Sequence, residues 1–118
     1  MPQISFEYSA NLMEDNIKET LTHVHQILVE KLPTKLNNCK TRIIKYSDYL
    51  IGDGNKNNGF IHLEINILPG RNDALLDSIA TLILQHFKQA FSKSLAELDL
   101  QISICIKNLP GTYYKLTE

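Results

Sequence analysis

The stretch that decides the fold is Phe60-Ile61-His62-Leu63-Glu64-Ile65-Asn66-Ile67. Every second residue is Ile or Leu, and the residues between them are polar except for the first. This period of two predicts a β-strand with one buried face and one polar face. Pro69-Gly70 ends the strand, and Asn72 or Asp73 can cap a helix directly afterwards. A strand therefore leads straight into a helix.

The segments after this strand complete a strand–helix–strand unit. Apolar residues recur at helical spacing as far as position 90, namely Leu75, Ile79, Leu82, Ile83, Phe87 and Ala90. From Leu100 to Lys107 the period returns to two, which predicts a final strand with isoleucines on one face and polar residues with Cys105 on the other.

The first half of the chain follows the same plan. Alternation predicts a strand from Pro2 to Tyr8, and apolar residues at helical spacing predict a helix over 17–32. Asn16 and Glu19 have the spacing of a capping box at its start. A further strand is predicted over 40–48, followed by a loop at 51–58 that is rich in Gly and Asn.

The two halves are related by a constant offset, since Pro2 and Gly59, Asn16 and Asp73, and Arg42 and Asp99 each differ by 57 positions. The chain is therefore predicted to be an α+β two-layer sandwich, a four-stranded sheet with two helices on one face. Two layouts fit. One is the split βαβ, or ferredoxin-like, sheet, and the other joins two parallel βαβ units through their first strands. Both place the start of the first strand beside the end of the third.

Composition excludes several classes of protein. The 118 residues, of 13.5 kDa, predict one domain over 1–118. Twelve Lys and Arg balance thirteen Asp and Glu, so a nucleic-acid partner is not expected. No apolar run reaches the roughly 18 residues of a membrane span, and Glu7 interrupts the start too early for a signal peptide. A cytoplasmic protein without a membrane or metal partner is expected.

Pro2 is the first candidate for chemistry. Met before a small residue is commonly excised, and excision of Met1 would make the Pro2 nitrogen a secondary amine. Such an amine is a general base if a dry pocket or nearby cations bring its pKa toward neutrality. A base of this kind can move a proton between carbon and oxygen without a cofactor.

Arg71 is the second candidate, because it is predicted in the first turn of the second helix and near Pro2. Free backbone N–H groups and an arginine fork there would receive a carboxylate. The alternative is an exposed arginine paired with Asp73. Elsewhere, His23 and His25 point to different sides of one helix, and Cys39 and Cys105 have no neighbouring base, so these residues are interpreted as structural.

The sequence resembles the 5-carboxymethyl-2-hydroxymuconate isomerase family of the tautomerase superfamily. The resemblance rests on Pro2 opening a strand, Gly52-Asp53-Gly54, Phe60 with His62, and Gly70-Arg71. It extends to the Tyr113-Tyr114 tail. It implies the layout with two parallel βαβ units, a homotrimer and no cofactor. It also implies isomerisation of a 2-hydroxymuconate-type dienol to its 2-oxo tautomer in homoprotocatechuate breakdown.

Within this resemblance, Pro2 moves the proton and Arg71 engages the anionic end of a small carboxylate substrate. The family pattern has a further arginine where this chain has Lys40, and a lysine lacks the planar two-pronged grip on a carboxylate. Either Lys40 or Arg42 would then hold the far carboxylate, or the substrate would be a different enol, shorter or with a single carboxylate. Phe60 would wall the pocket. Two other functions remain open: a ferredoxin-like regulatory module that binds a small acid, and a catalytically idle protein with the tautomerase fold.

Overall fold

The computed structural model describes residues 1–117. Four strands form one sheet, β1 (Gln3–Ser9), β2 (Lys40–Tyr46), β3 (Asn58–Ile67) and β4 (Asp99–Asn108). The helices are α1 (Ile17–Lys31), α2 (Asp73–Ala90) and α3 (Ser92–Glu97), with a 3-10 turn at Leu36–Asn38. The third helix and the 3-10 turn are not apparent from periodicity, since each is too short to show a repeat. Among residues 1–117, no helix combines the length and the apolar character needed to cross a lipid bilayer.

The strand order is β2-β1-β3-β4. Strand β1 is parallel to β2, β3 is parallel to β4, and β1 and β3 are antiparallel. This is the layout of two βαβ units joined through their first strands, and the split βαβ alternative is wrong. The antiparallel register pairs Gln3 with Asn66, so the start of β1 lies beside the end of β3, as predicted.

One face of the sheet carries the core. Ile4 and Phe6 of β1 and the odd-numbered residues of β3 from Ile61 to Ile67 are almost fully buried under the helices. The helices contribute Leu21, Val24, Leu28, Ile79, Ile83 and Phe87 to the same cluster. The other face, which contains Gln3, Arg42, His62 and Cys105, has no helix over it. The predicted two-layer sandwich is therefore confirmed.

The repeat of 57 positions holds for β1 and β3 but not for the outer strands. Gln3 pairs with Lys40, whereas Phe60 pairs with Gln101, so the two outer strands are offset by 61. The second crossover is longer because α3 follows α2 there. Arg42 is therefore equivalent to Ser103 and not to Asp99.

The two long helices are capped differently. The Asn72 side chain accepts a hydrogen bond from Leu75 N at 2.9 Å, as the sequence predicts. The backbone of Asn16 has φ −95° and ψ 40° instead of the extended conformation usual at an N-cap, and its side chain makes no capping hydrogen bond. The predicted capping box of Asn16 and Glu19 is therefore wrong.

A candidate active site at the start of the first strand

The start of β1 brings the N-terminal amine close to several cations. Pro2 is buried, and its carbonyl accepts a hydrogen bond from Lys40 N at 3.2 Å, which continues the parallel pairing of β1 with β2. Partial burial lowers the pKa of the Met1 amine, and the positive charges of Arg71, Lys115 and Lys40 lower it further. The region around this amine is therefore electropositive, although the net charge of the chain is −1.

Arg71 reaches this region because of the turn between β3 and α2. Gly70 has φ +116°, a conformation that L side chains rarely adopt, and it directs the chain from the strand into the helix. Helix α2 begins at Asp73 with Asn72 as its N-cap, so Arg71 precedes the helix and does not lie in its first turn. Its guanidinium donates a hydrogen bond to Leu68 O at 2.9 Å.

The alternative pairing of Arg71 with Asp73 is not observed. Within residues 1–117 the one ion pair joins Lys107 to Glu64, with Nζ and Oε1 2.8 Å apart on the open face of the sheet. The charge of Arg71 is thus not neutralised by a carboxylate in the described part of the chain. An arginine in this state is available to an anion that binds near the amine.

Lys40 and Arg42 lie on the open face of β2, next to Gln3 and Ser5 of β1. Lys40 is one of the cations that lower the pKa of the Met1 amine. The Arg42 guanidinium donates to Gln3 Oε1 at 2.5 Å, which holds this side chain over the start of β1. Both predicted cations therefore lie at the Pro2 end of the sheet.

Phe60 lies at the other end. Its neighbour Ile61 pairs with Tyr8, and Pro2 is six residues before Tyr8 along β1, a separation of roughly 20 Å at the usual rise per residue. The Phe60 ring contacts Tyr46 and Tyr49, with ring centroids 6.1 and 6.3 Å apart. Within one chain, Phe60 and Pro2 do not share a pocket.

The structure adds Lys115 to the cations near the Met1 amine, a residue that the sequence does not predict there. Its Nζ donates to Asn38 Oδ1 at 2.8 Å and lies 3.4 Å from Met1 Sδ. The sequence around Lys115 gives little indication of its position, because a lysine in a tail without periodicity has no predicted neighbours. Only the fold of residues 109–117 reveals its position.

The other candidates have structural partners. His62 bonds to Ser103 Oγ at 2.7 Å, and His25 Nε2 bonds to Thr41 Oγ1 at 2.6 Å. Burial raises the pKa of the Cys39 thiol, so this cysteine is not activated as a nucleophile.

Within residues 1–117 no three His, Cys, Asp or Glu side chains form a cluster that could hold a metal ion. The larger surface grooves lie elsewhere. One is lined by Gln85, Lys88, Gln89 and Ser92, and another contains His25 beside Thr41.

Two parallel βαβ units joined through their first strands are the fold of the tautomerase superfamily, and several solved structures share it. A 5-carboxymethyl-2-hydroxymuconate isomerase from Deinococcus radiodurans R1 is 24% identical, with a TM-score of 0.88 over 98% of this chain and 90% of that chain. A 5-carboxymethyl-2-hydroxymuconate delta-isomerase is 19% identical, with a TM-score of 0.75 over 100% and 89%. A fused 4-OT wild-type symmetric trimer is 14% identical, with a TM-score of 0.73 over 97% and 92%.

A comparison of the sequence with family models identifies the family within the tautomerase superfamily. The family described as 5-carboxymethyl-2-hydroxymuconate isomerase matches residues 2–117, and the chain belongs to this family. No curated protein matches the chain in a sequence search. The protein is accordingly an isomerase of the tautomerase superfamily that catalyses a keto–enol isomerisation.

Proposed function

We propose that the protein, once Met1 is removed, uses the Pro2 amine as a general base to convert a 2-hydroxymuconate-type dienol into its 2-oxo tautomer. The observation that carries the proposal is the position of the N-terminal amine, which is partly buried beside Arg71, Lys115 and Lys40. The same surroundings would favour the neutral form of a Pro2 amine, and only the neutral form accepts a proton.

The reaction is a proton transfer with no net gain or loss of atoms. The Pro2 nitrogen accepts the proton of the 2-hydroxyl group, which leaves a dienolate, and the resulting ammonium returns a proton to a carbon of the diene. Arg71 binds the carboxylate next to the reacting oxygen, and its charge stabilises the dienolate as it forms. Lys40 or Arg42 binds the second carboxylate. No cofactor is needed, because the substrate is neither oxidised nor reduced.

The substrate proposed for this chain is 5-carboxymethyl-2-hydroxymuconate or a close analogue from homoprotocatechuate breakdown in the cytoplasm. Its support is the family match over residues 2–117 together with the surplus of cations at the Pro2 end. A substrate with several carboxylates suits several cations that have no carboxylate partner among residues 1–117.

We further propose that the working enzyme is a homotrimer. The face of the sheet without helices carries half-buried polar residues, among them Gln3, Ser5, Glu64 and Asn66, which a neighbouring copy can cover. A trimer would also allow Phe60 to wall the pocket as predicted, because the Phe60 ring of a neighbouring subunit could lie at the Pro2 end. A solution mass of three times 13.5 kDa is expected.

The test compares two forms of the same sequence, with Met1 and without it, separated and verified by intact mass. Activity on the dienol, followed by its ultraviolet absorbance, should increase with the fraction of protein that lacks Met1. Arg71→Ala should lower kcat/KM by at least about 10²-fold, the loss expected for an interaction made in the transition state. Lys93→Ala, on the exposed side of α3, is the matched control.

Full activity in protein that retains Met1 would overturn the proline mechanism. A processed protein that binds the dienol saturably without turnover would instead indicate a catalytically idle family member. The ferredoxin-like regulatory module is no longer a candidate, because the observed strand order excludes its sheet.

A further inference from the structure

The C-terminal segment of the described chain, residues 109–117, extends across the end of the sheet that contains Pro2. Leu109 N donates to Ile67 O at 2.6 Å, which fixes the beginning of the segment beside the end of β3. Further along, the Tyr113 hydroxyl accepts a hydrogen bond from Gln3 Nε2 at 3.0 Å at the start of β1. We call residues 109–117 the tail strap.

Near the end of the strap, Lys115 reaches the turn that precedes β2. Lys115 Nζ donates to Asn38 Oδ1 at 2.8 Å, two residues before Lys40. The strap thus contacts the end of β3, the start of β1 and the turn before β2. Arg71 follows β3, Pro2 directly precedes β1 and Lys40 begins β2, so the strap borders the proposed site.

Lys115 also contacts the residue whose removal would create the base. Its Nζ lies 3.4 Å from Met1 Sδ, and Met1 is half-buried. If Met1 is excised, Lys115 loses this neighbour while its anchor at Asn38 stays. Its ammonium group would then face the Pro2 amine, with no carboxylate partner among the residues that the structure describes.

We propose that Lys115 is a specificity-determining residue of the active site, where it binds the second carboxylate of a dicarboxylate substrate together with Lys40. This inference rests on the proposed function, in which Arg71 binds the first carboxylate. It accounts for a lysine at position 40, because two lysines on separate elements can each donate to one oxygen of a carboxylate and so replace the two-pronged grip of an arginine.

The experiment uses two unreactive ligands of equal length, trans,trans-muconate with two carboxylates and sorbate with one. Their dissociation constants are measured by calorimetry on processed wild-type protein and on Lys115→Ala, Lys115→Arg and Lys93→Ala variants. Losing a hydrogen-bonded ion pair with the ligand should weaken muconate binding by about tenfold in Lys115→Ala. Sorbate binding should change less than about twofold, because sorbate lacks the carboxylate that Lys115 would bind.

Restoration of muconate binding in Lys115→Arg, with no effect of Lys93→Ala, would complete the expected result. Equal losses for both ligands in Lys115→Ala, or no loss for either, would overturn the assignment. Ligand binding is measured without turnover, so a protein that binds muconate through Lys115 and yet isomerises no dienol would refute the proposed function and leave this inference standing.

Discussion

The two helix N-caps provide a test in which the same substitution has different consequences. Asn72 precedes α2 and Asn16 precedes α1, at equivalent places in the two βαβ units. Asn72 has an extended backbone, φ −82° and ψ 162°, and its side chain accepts the hydrogen bond from Leu75 N. Asn16 makes no such bond, and its carbonyl accepts the bonds from Thr20 N and Thr20 Oγ1. Alanine retains that carbonyl.

Asn72→Ala should therefore lower the free energy of unfolding by about 1 kcal/mol, the usual contribution of an N-cap side chain. With a urea m-value of about 2 kcal/mol/M, the midpoint of unfolding should decrease by roughly 0.5 M. Asn16→Ala should change the free energy of unfolding by less than about 0.5 kcal/mol, which is usual for a surface substitution that removes no capping hydrogen bond. Both variants are compared at one protein concentration, because assembly would make the midpoint concentration-dependent.

The same pair of variants tests the site. Arg71 directly precedes Asn72, so fraying of the first turn of α2 should displace its guanidinium and lower kcat/KM by up to about tenfold. Asn16→Ala should leave kcat/KM unchanged, because α1 starts at the opposite end of the sheet. Equal destabilisation by the two substitutions would refute the inference that only the Asn72 side chain caps its helix. Unchanged kcat/KM in Asn72→Ala would refute the link from the cap to Arg71.

Two further predictions concern the base and the core. The kcat/KM of processed protein should rise with pH as the Pro2 amine loses its proton. Arg71→Ala should move this rise to higher pH, because removing a cation raises the pKa of the amine. A rise at the same or a lower pH in this variant would contradict the assignment of the base. Phe87→Ala should lower the free energy of unfolding by about 3–5 kcal/mol, because the ring is fully buried and contacts Phe6 and Phe91. Leu84→Ala, 42% exposed on the same helix, should cost less than about 1 kcal/mol in denaturant unfolding.

Periodicity was sufficient to predict the main elements of the fold. The alternation in 60–67 gives every buried residue of β3 except Gly59, and the helical spacing gives Ile79, Ile83 and Phe87 of α2. It could not choose between the two sheet layouts, because strand order depends on long-range pairing that both layouts satisfy with the same amphipathic strands. The family resemblance made that choice, and the observed pairing confirms it.

Capping and the contents of the site were harder to predict, because both depend on local geometry. Asn16 has a favourable residue type and spacing, but its backbone conformation does not present the side chain to the helix. Arg71 and Lys40 could be placed at the Pro2 end because strand direction follows from topology. Lys115 could not, because the path of the tail strap is set by single hydrogen bonds to Gln3 and Asn38.

The internal repeat also explains why the active site is proposed at the Pro2 end of the sheet and not at the equivalent position of the second βαβ unit. Gly59 is the equivalent of Pro2 in the second βαβ unit, but it lies in the middle of the chain, where its nitrogen is an amide. Its surroundings are filled, since a Cβ there would lie 3.1 Å from Asn11 Oδ1 and 3.2 Å from Leu100 Cδ1. A backbone amine requires a chain end, which only the first unit can supply in the proposed mechanism. The second unit closes its equivalent position with packing and contributes Arg71, which follows β3, to the proposed site.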